Sequence, residues 1–226
     1  MPRCFRKGDK TMSEVTNTSA NTSNREETTQ KHTTRYTARY LTVTAMLSAV
    51  AFILMFFDFS VPFMPSFIKM DLSDLPELIG SFAMGPLCGV LVALVKNLLH
   101  LTISSTGGVG ELSNFLLGAA FVLPAGLIYR AKKTKARALW GAILGAVIMG
   151  VFSVVSNNFL VYPFYYNFMA KDAILAAYQA ILPGMKSILQ CLICFNMPFT
   201  IIKGLLSVAI TMLVYKPLSP ILKGRQ

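Results

Sequence analysis

Residues 75–103, "LPELIGSFAMGPLCGVLVALVKNLLHLTI", decide the fold, because they read either as one long apolar helix or as two. Roughly 20 apolar residues cross a ~30 Å hydrocarbon core at 1.5 Å per residue, and this stretch is longer. The choice follows from the charges beyond it. The densest basic cluster, "RAKKTKAR" (130–137), comes straight after the next apolar span, "LSNFLLGAAFVLPAGLIY" (112–129). A single helix over 75–103 would place that cluster across the membrane from the basic N-terminal region, against the tendency of Lys and Arg to stay inside. A break at Gly85-Pro86 restores it. Proline is tolerated at a helix start and not in its interior, and Gly-Pro marks a turn. The stretch is therefore predicted to be a short helix over 75–84 and a full one over 87–102.

Composition agrees with a membrane setting. Of 226 residues, 54% are apolar and 14% charged, and the mean hydropathy is +0.57. A soluble domain of this size needs far more charge on its surface. The net charge of +11 lies in clusters beside apolar spans, which suits topology and anionic lipid rather than nucleic acid. Cys4, Cys88, Cys191 and Cys194 are too few for a disulfide scaffold. The C-x-x-C at Cys191 and Cys194 has no second pair or histidine nearby, so no metal site is expected.

The remaining spans follow in order. Residues 1–38 are polar and rich in Ser, Thr and Asn, and are expected to be a disordered cytoplasmic tail rather than a signal peptide. Met12 is a second candidate start, and the triplets at Asn17 and Asn21 carry no weight as glycosylation acceptors. Arg35 and Arg39 precede the first span, 40–57. The loop "DFSVPFMPSFIKMDLSD" (58–74) is too apolar for ordinary exposure and is predicted to fold back over the protein or dip into the membrane as a lid. Ser73 or Asp74 is placed to cap the helix that starts at Leu75-Pro76, with Glu77 in its first turn. An outer loop at 103–111, a span at 138–161, an outer segment at 162–195 and a last helix ending before "KPLSPILKGRQ" complete the chain. The expectation is an all-α membrane protein, with six transmembrane helices within 39–218, a folded outer loop after the first, and cytoplasmic termini, 219–226 being a second tail.

Several polar residues sit inside these apolar spans. Lys203 lies one turn into the last helix, where it either snorkels to the outer interface or faces a cavity and donates to a ligand. Asn157 and Asn158 lie at the same depth and are either interhelical contacts or part of one pocket with Lys203. Tyr162, Phe164, Tyr165 and Tyr166, with Phe59, Phe63 and Phe67 of the lid, fit an interfacial belt and also fit the walls of a site for a flat heteroaromatic ligand. Lys96, with Asn97 and His100 nearby, is a second intramembrane cation, balanced between pairing with Glu77 or Glu111 and contacting a ligand. Ala45 and Ala49 give the first helix a small-xxx-small face that permits close helix approach. The chain contains no G-x-x-x-x-G-K-[ST] phosphate loop, so it cannot hydrolyse ATP by that chemistry, and with two histidines and no G-x-S-x-G elbow it gives a Ser–His hydrolase little support.

"FDFSVPFMPSFIKMDLSDLPELIGSFAMGPLCGVLVALVKNLLH", with "NNFLVYPFY" and "PFTIIKG", resembles the substrate-binding (S) subunits of energy-coupling-factor vitamin transporters, and within them the riboflavin-specific branch. The resemblance runs from about residue 40 to 217. It implies six helices, an outer flavin pocket under a lid formed by the first loop, and a bacterial plasma-membrane location. It further implies that Ala45 and Ala49 dock on a transmembrane coupling (T) subunit and that two separate ATPase subunits supply energy. Riboflavin is the implied transported ligand, no cofactor is implied, and the chain is not an enzyme. Asn157 and Lys203 take the polar flavin-contacting positions, with Phe63, Phe67, Tyr162 and Lys96 as further candidates. Thr200 departs from the branch, which usually has Asn in "PFN"; one hydroxyl there replaces an amide's donor and acceptor. An S subunit for another vitamin, or a membrane scaffold without transport, are the alternative readings.

Overall fold

The computed structural model describes residues 38–223, apart from 62–63, 66–67, 105–106 and 168–169. The expectations for the tail before residue 38, for Phe63 and Phe67, and for the last three residues fall outside the described residues. The chain divides at Thr42. Before that point the described structure is the opening of helix α1 (Ala38–Met55), where the Thr42 hydroxyl donates to the Ala38 carbonyl at 2.9 Å. From Val43 onward the chain forms one compact unit.

In that unit α1 leads to a loop that contains a two-residue antiparallel ladder, β1 (Phe59–Ser60) with β2 (Lys69–Met70). This is the one departure from an all-helical reading among the described residues. Helix α2 (Asp74–Met84) then ends at Gly85, whose φ of 109° is open to glycine and strained for other residues. Pro86 opens α3 (Pro86–His100) at its first turn, so the predicted break is present, and for the predicted reason.

A 3-10 turn (Leu101–Ile103) follows, then α4 (Val109–Ala131) and α5 (Lys135–Ser156), with Thr134 accepting from the Arg137 amide at the start of α5. Five described stretches are long and apolar enough to cross a membrane: α1, Pro86–Ile103, α4, Lys135–Tyr165 and Ile188–Val214. Helix α2, with 11 residues, is not among them. The protein is thus a multi-pass helical membrane protein whose second helix is short.

Two features differ from expectation. Residues 162–195 are not a plain outer segment. They carry α6 (Tyr162–Tyr165), α7 (Lys171–Gln179) and α8 (Ile188–Cys191). The last helix, α9 (Met197–Lys223), also runs on through Pro217 and Pro220, so it includes residues 219–223. Two π-helical segments, Asn157–Val161 and Leu192–Asn196, join α5 to α6 and α8 to α9.

Packing places α2 at the centre. It lies against α3, α4 and α9, and eight of its residues are buried. The close approach depends on missing side chains. A Cβ at Gly118 of α4 would collide with the Glu77 carboxylate, and one at Gly89 of α3 would come within 2.8 Å of the Glu77 carbonyl. Helix α5 buries Ala138, Gly141, Ala142, Gly145 and Ala146, a small-residue face that admits α4 and α9. One apolar core joins Leu78, Phe82, Phe121 and Val208 across α2, α4 and α9. A second, around Tyr162, Ile174, Tyr178 and Leu192, ties α7 to the two π segments.

Candidate ligand-binding site

The site begins with the charges that the sequence places inside the bundle. Lys203 of α9 is buried, and its ammonium donates to Asp71 Oδ2 at 3.0 Å and sits 3.3 Å from Asp74 Oδ2. Lys96 of α3 is fully buried, 2.5 Å from Glu77 Oε1 and 3.3 Å from Asp74 Oδ1. Asp74 therefore bridges the two cations. Ser73 closes the ring, its hydroxyl donating to Asp71 Oδ1 and accepting from Lys96, each at 2.5 Å. The partner that a buried ammonium demands is thus supplied from the loop before α2 and the first turn of α2, where carboxylates also suit the positive end of a helix dipole.

Asp71 precedes α2. Burial alone would raise its carboxyl, but the Lys203 and Lys96 ammoniums and the Ser73 hydrogen bonds outweigh it and hold it well below the usual carboxylate range. Ser73 takes the N-cap position yet makes no cap hydrogen bond, because its hydroxyl is engaged in this ring. The cap expected there is absent for that reason.

Beside the ring, at the N-terminal end of α2, lies a cavity of about 320 Å³, within the range of small-molecule sites. Lys203, Thr200, Asn157 and Tyr162 all line it. Lys96 does not: it is fully buried and paired with Asp74 and Glu77, the Glu77 pairing being one of the two roles the sequence leaves open for it. Asn158 is not in the wall either. Residues that sequence reasoning missed as wall are Asp71, Asn196 and the pair His100–Glu111, whose Nδ1 and Oε1 lie 2.9 Å apart. Asn196 was detectable in principle, since it falls one helical turn before Thr200 and shares its face.

The two asparagines occupy corresponding places. Asn157 starts one π segment and Asn196 ends the other. Such wide turns often occur at functional sites. Asn157 Nδ2 donates to the Ser153 carbonyl at 2.8 Å, which turns its Oδ1 away as an acceptor. Tyr178 donates to Asn196 Oδ1 at 3.2 Å and shares a 2.6 Å hydrogen bond with Tyr162. Ala45 and Ala49 lie on the exposed side of α1, opposite buried Thr44, Ser48 and Ala51, and away from the cavity wall.

A multi-pass helical protein with a small polar and aromatic cavity at one end of its bundle is, as a class, a membrane component that holds a solute. Residues 39–215 match the family model for the ECF transporter, substrate-specific component, and the chain belongs to that family. It is a transporter component, not an enzyme. It is 36% identical over 183 residues to the riboflavin transporter RibU of Staphylococcus aureus, covering 81% of this chain and 92% of that protein. It is 31% identical over 185 residues to the riboflavin transporter FmnP of Bacillus subtilis, covering 80% and 92% respectively. A solved structure described as the S component of a bacterial ECF transporter matches with a TM-score of 0.65 and 34% identity, over 82% of this chain and 98% of that one.

Proposed function

We propose that this chain is the riboflavin-binding membrane subunit of a vitamin uptake system in the bacterial cell membrane. A separate coupling module, made of a T subunit and two ATPase subunits, energises it. The observation that carries the reading is the composition of one cavity wall: Asn157, Thr200, Lys203 and Tyr162 converge on a space of about 320 Å³. Riboflavin offers a flat apolar ring, carbonyl acceptors, an imide donor and a chain of hydroxyls. Asn157 Oδ1 supplies an acceptor for an N–H. An ammonium has three donors, and Lys203 has two directed at Asp71 and Asp74, which leaves one for a ligand oxygen. Tyr162 and Tyr165 supply aromatic surface for the ring. With α2 counted as a short sixth helix, the clusters at the N-terminus and at 130–137 both face the cytoplasm, and so do both termini.

The test is a titration of purified protein with riboflavin. Stacking in the cavity is expected to quench flavin fluorescence. Lys203→Met keeps the apolar stem and removes the donor; a hydrogen bond from a charged group is worth roughly 1.5–3 kcal/mol, so affinity should fall about 10- to 100-fold. Absence of quenching with the wild-type protein refutes the flavin assignment. Equal affinity in Lys203→Met would return Lys203 to a purely structural part.

A further inference from the structure

The cavity wall contains an amide whose orientation the protein fixes. Asn196 is 7% exposed, lines the cavity and lies one turn before Thr200 on the same face. Its Oδ1 is taken by the Tyr178 hydroxyl at 3.2 Å. Tyr178 is fully buried and does not line the cavity. It is anchored in turn by Tyr162, 2.6 Å away, across a core that holds α7 against the π segments. If Tyr162 donates to Tyr178 and Tyr178 donates to Asn196, every hydroxyl proton is used and the amide is locked with its oxygen inward. Its two N–H donors then have no protein partner among the described residues. An amide that presents only donors to a ligand cavity recognises an acceptor.

We infer that Asn196 is a ligand-binding residue that donates to a carbonyl oxygen of the bound ring, and that Tyr178 is the positioning residue that sets its orientation. The inference rests on the riboflavin reading above. It makes the two asparagines complementary. Asn157 offers an acceptor because Ser153 takes its N–H, and Asn196 offers donors because Tyr178 takes its oxygen. An imide edge, with N–H beside C=O, is the ligand chemistry that needs both. The pattern also gives α7 a purpose, since its residue Tyr178 is the link that ties this outer helix to the wall.

The test compares wild type, Asn196→Asp and Tyr178→Phe by fluorescence titration with riboflavin and its 2-thio and 4-thio analogues, in which one ring carbonyl becomes a weak acceptor. Asn196→Asp still accepts from Tyr178 but has no donor, and should bind riboflavin about tenfold more weakly or worse. Tyr178→Phe leaves the amide free to turn and should lose roughly three- to tenfold. Both penalties should shrink to less than about twofold with whichever thio analogue lacks the contacted carbonyl. A penalty of the same size for all three ligands makes the role structural and overturns the inference, as does wild-type affinity in either variant. If Asn196→Asp does not fold, Tyr178→Phe alone gives the same decision. Failure of the wild type to bind any of the three is a distinct result, which removes the flavin reading and this inference with it.

Discussion

Replacing Lys96 by Met separates support of the site from contact with the ligand. The ammonium of Lys96 is fully buried, 2.5 Å from Glu77 Oε1, 3.3 Å from Asp74 Oδ1 and hydrogen-bonded to Ser73. Methionine fills nearly the same space, so the loss is electrostatic. Two buried carboxylates lose a cation, and Asp74 retains only its second one, Lys203. Removing one partner of a buried pair costs about 3–5 kcal/mol through the charge left behind. For a chain of this size that corresponds to a fall in melting temperature on the order of 10 °C. The assay uses a thiol-reactive fluorogenic dye on detergent-purified protein. Cys88 and Cys191 are buried and report unfolding, while exposed Cys194 is replaced by Ser, as is Cys4. Riboflavin titration well below the transition should give an affinity within about threefold of wild type, because Lys96 does not reach the cavity wall. Adding Glu77→Gln should restore part of the stability by removing one of the stranded charges. An unchanged melting temperature together with a large loss of affinity would refute this account and return Lys96 to the ligand.

Three further outcomes follow from the same structure. Gly118→Val should destabilise the fold, since any Cβ there meets the Glu77 carboxylate; overpacking of this kind costs about 1–3 kcal/mol, and an unchanged melting temperature would mean that α2 and α4 separate easily. Bulky residues at Ala45 and Ala49 should abolish uptake by cells that contain the coupling module and leave riboflavin binding to the isolated subunit intact; parallel loss of both would place α1 in the fold of the site rather than in docking. In a protein without native cysteines, Thr106→Cys should react with an impermeant label from outside and Thr134→Cys should not, and the reverse pattern would overturn the proposed orientation.

The sequence carried the elements whose signals are local. Gly85-Pro86 marked the boundary of α2 because φ and ring constraints act within two residues. Counting along two helices puts Asn157 at the depth of Lys203, and both side chains line the same cavity. What stayed hidden depends on distant pairing. Lys203 meets Asp71 across 132 positions, and Lys96 meets Asp74 across 22, so no spacing rule shows which cation turns to the cavity and which is enclosed. The π segments were equally silent, since a run such as Asn157–Val161 has no composition that separates it from an α-helix. Helix α7 has only nine residues, too short to read as a span, and its anchoring through Tyr178 is a tertiary matter.

The shortness of α2 has a geometric consequence for how a binding site arises in a small bundle. Eleven residues rise only ~16 Å, about half of a ~30 Å hydrocarbon core. Every neighbouring helix that packs on α2 is long enough to continue past its end. The cavity has Asp71, three residues before the N-terminal end of α2, in its wall. Residues of α4, α5 and α9, among them Asn114, Met149 and Thr200, line it and set its chemistry. Lengthening α2 by two turns at its N-terminus would fill the site with the protein's own helix.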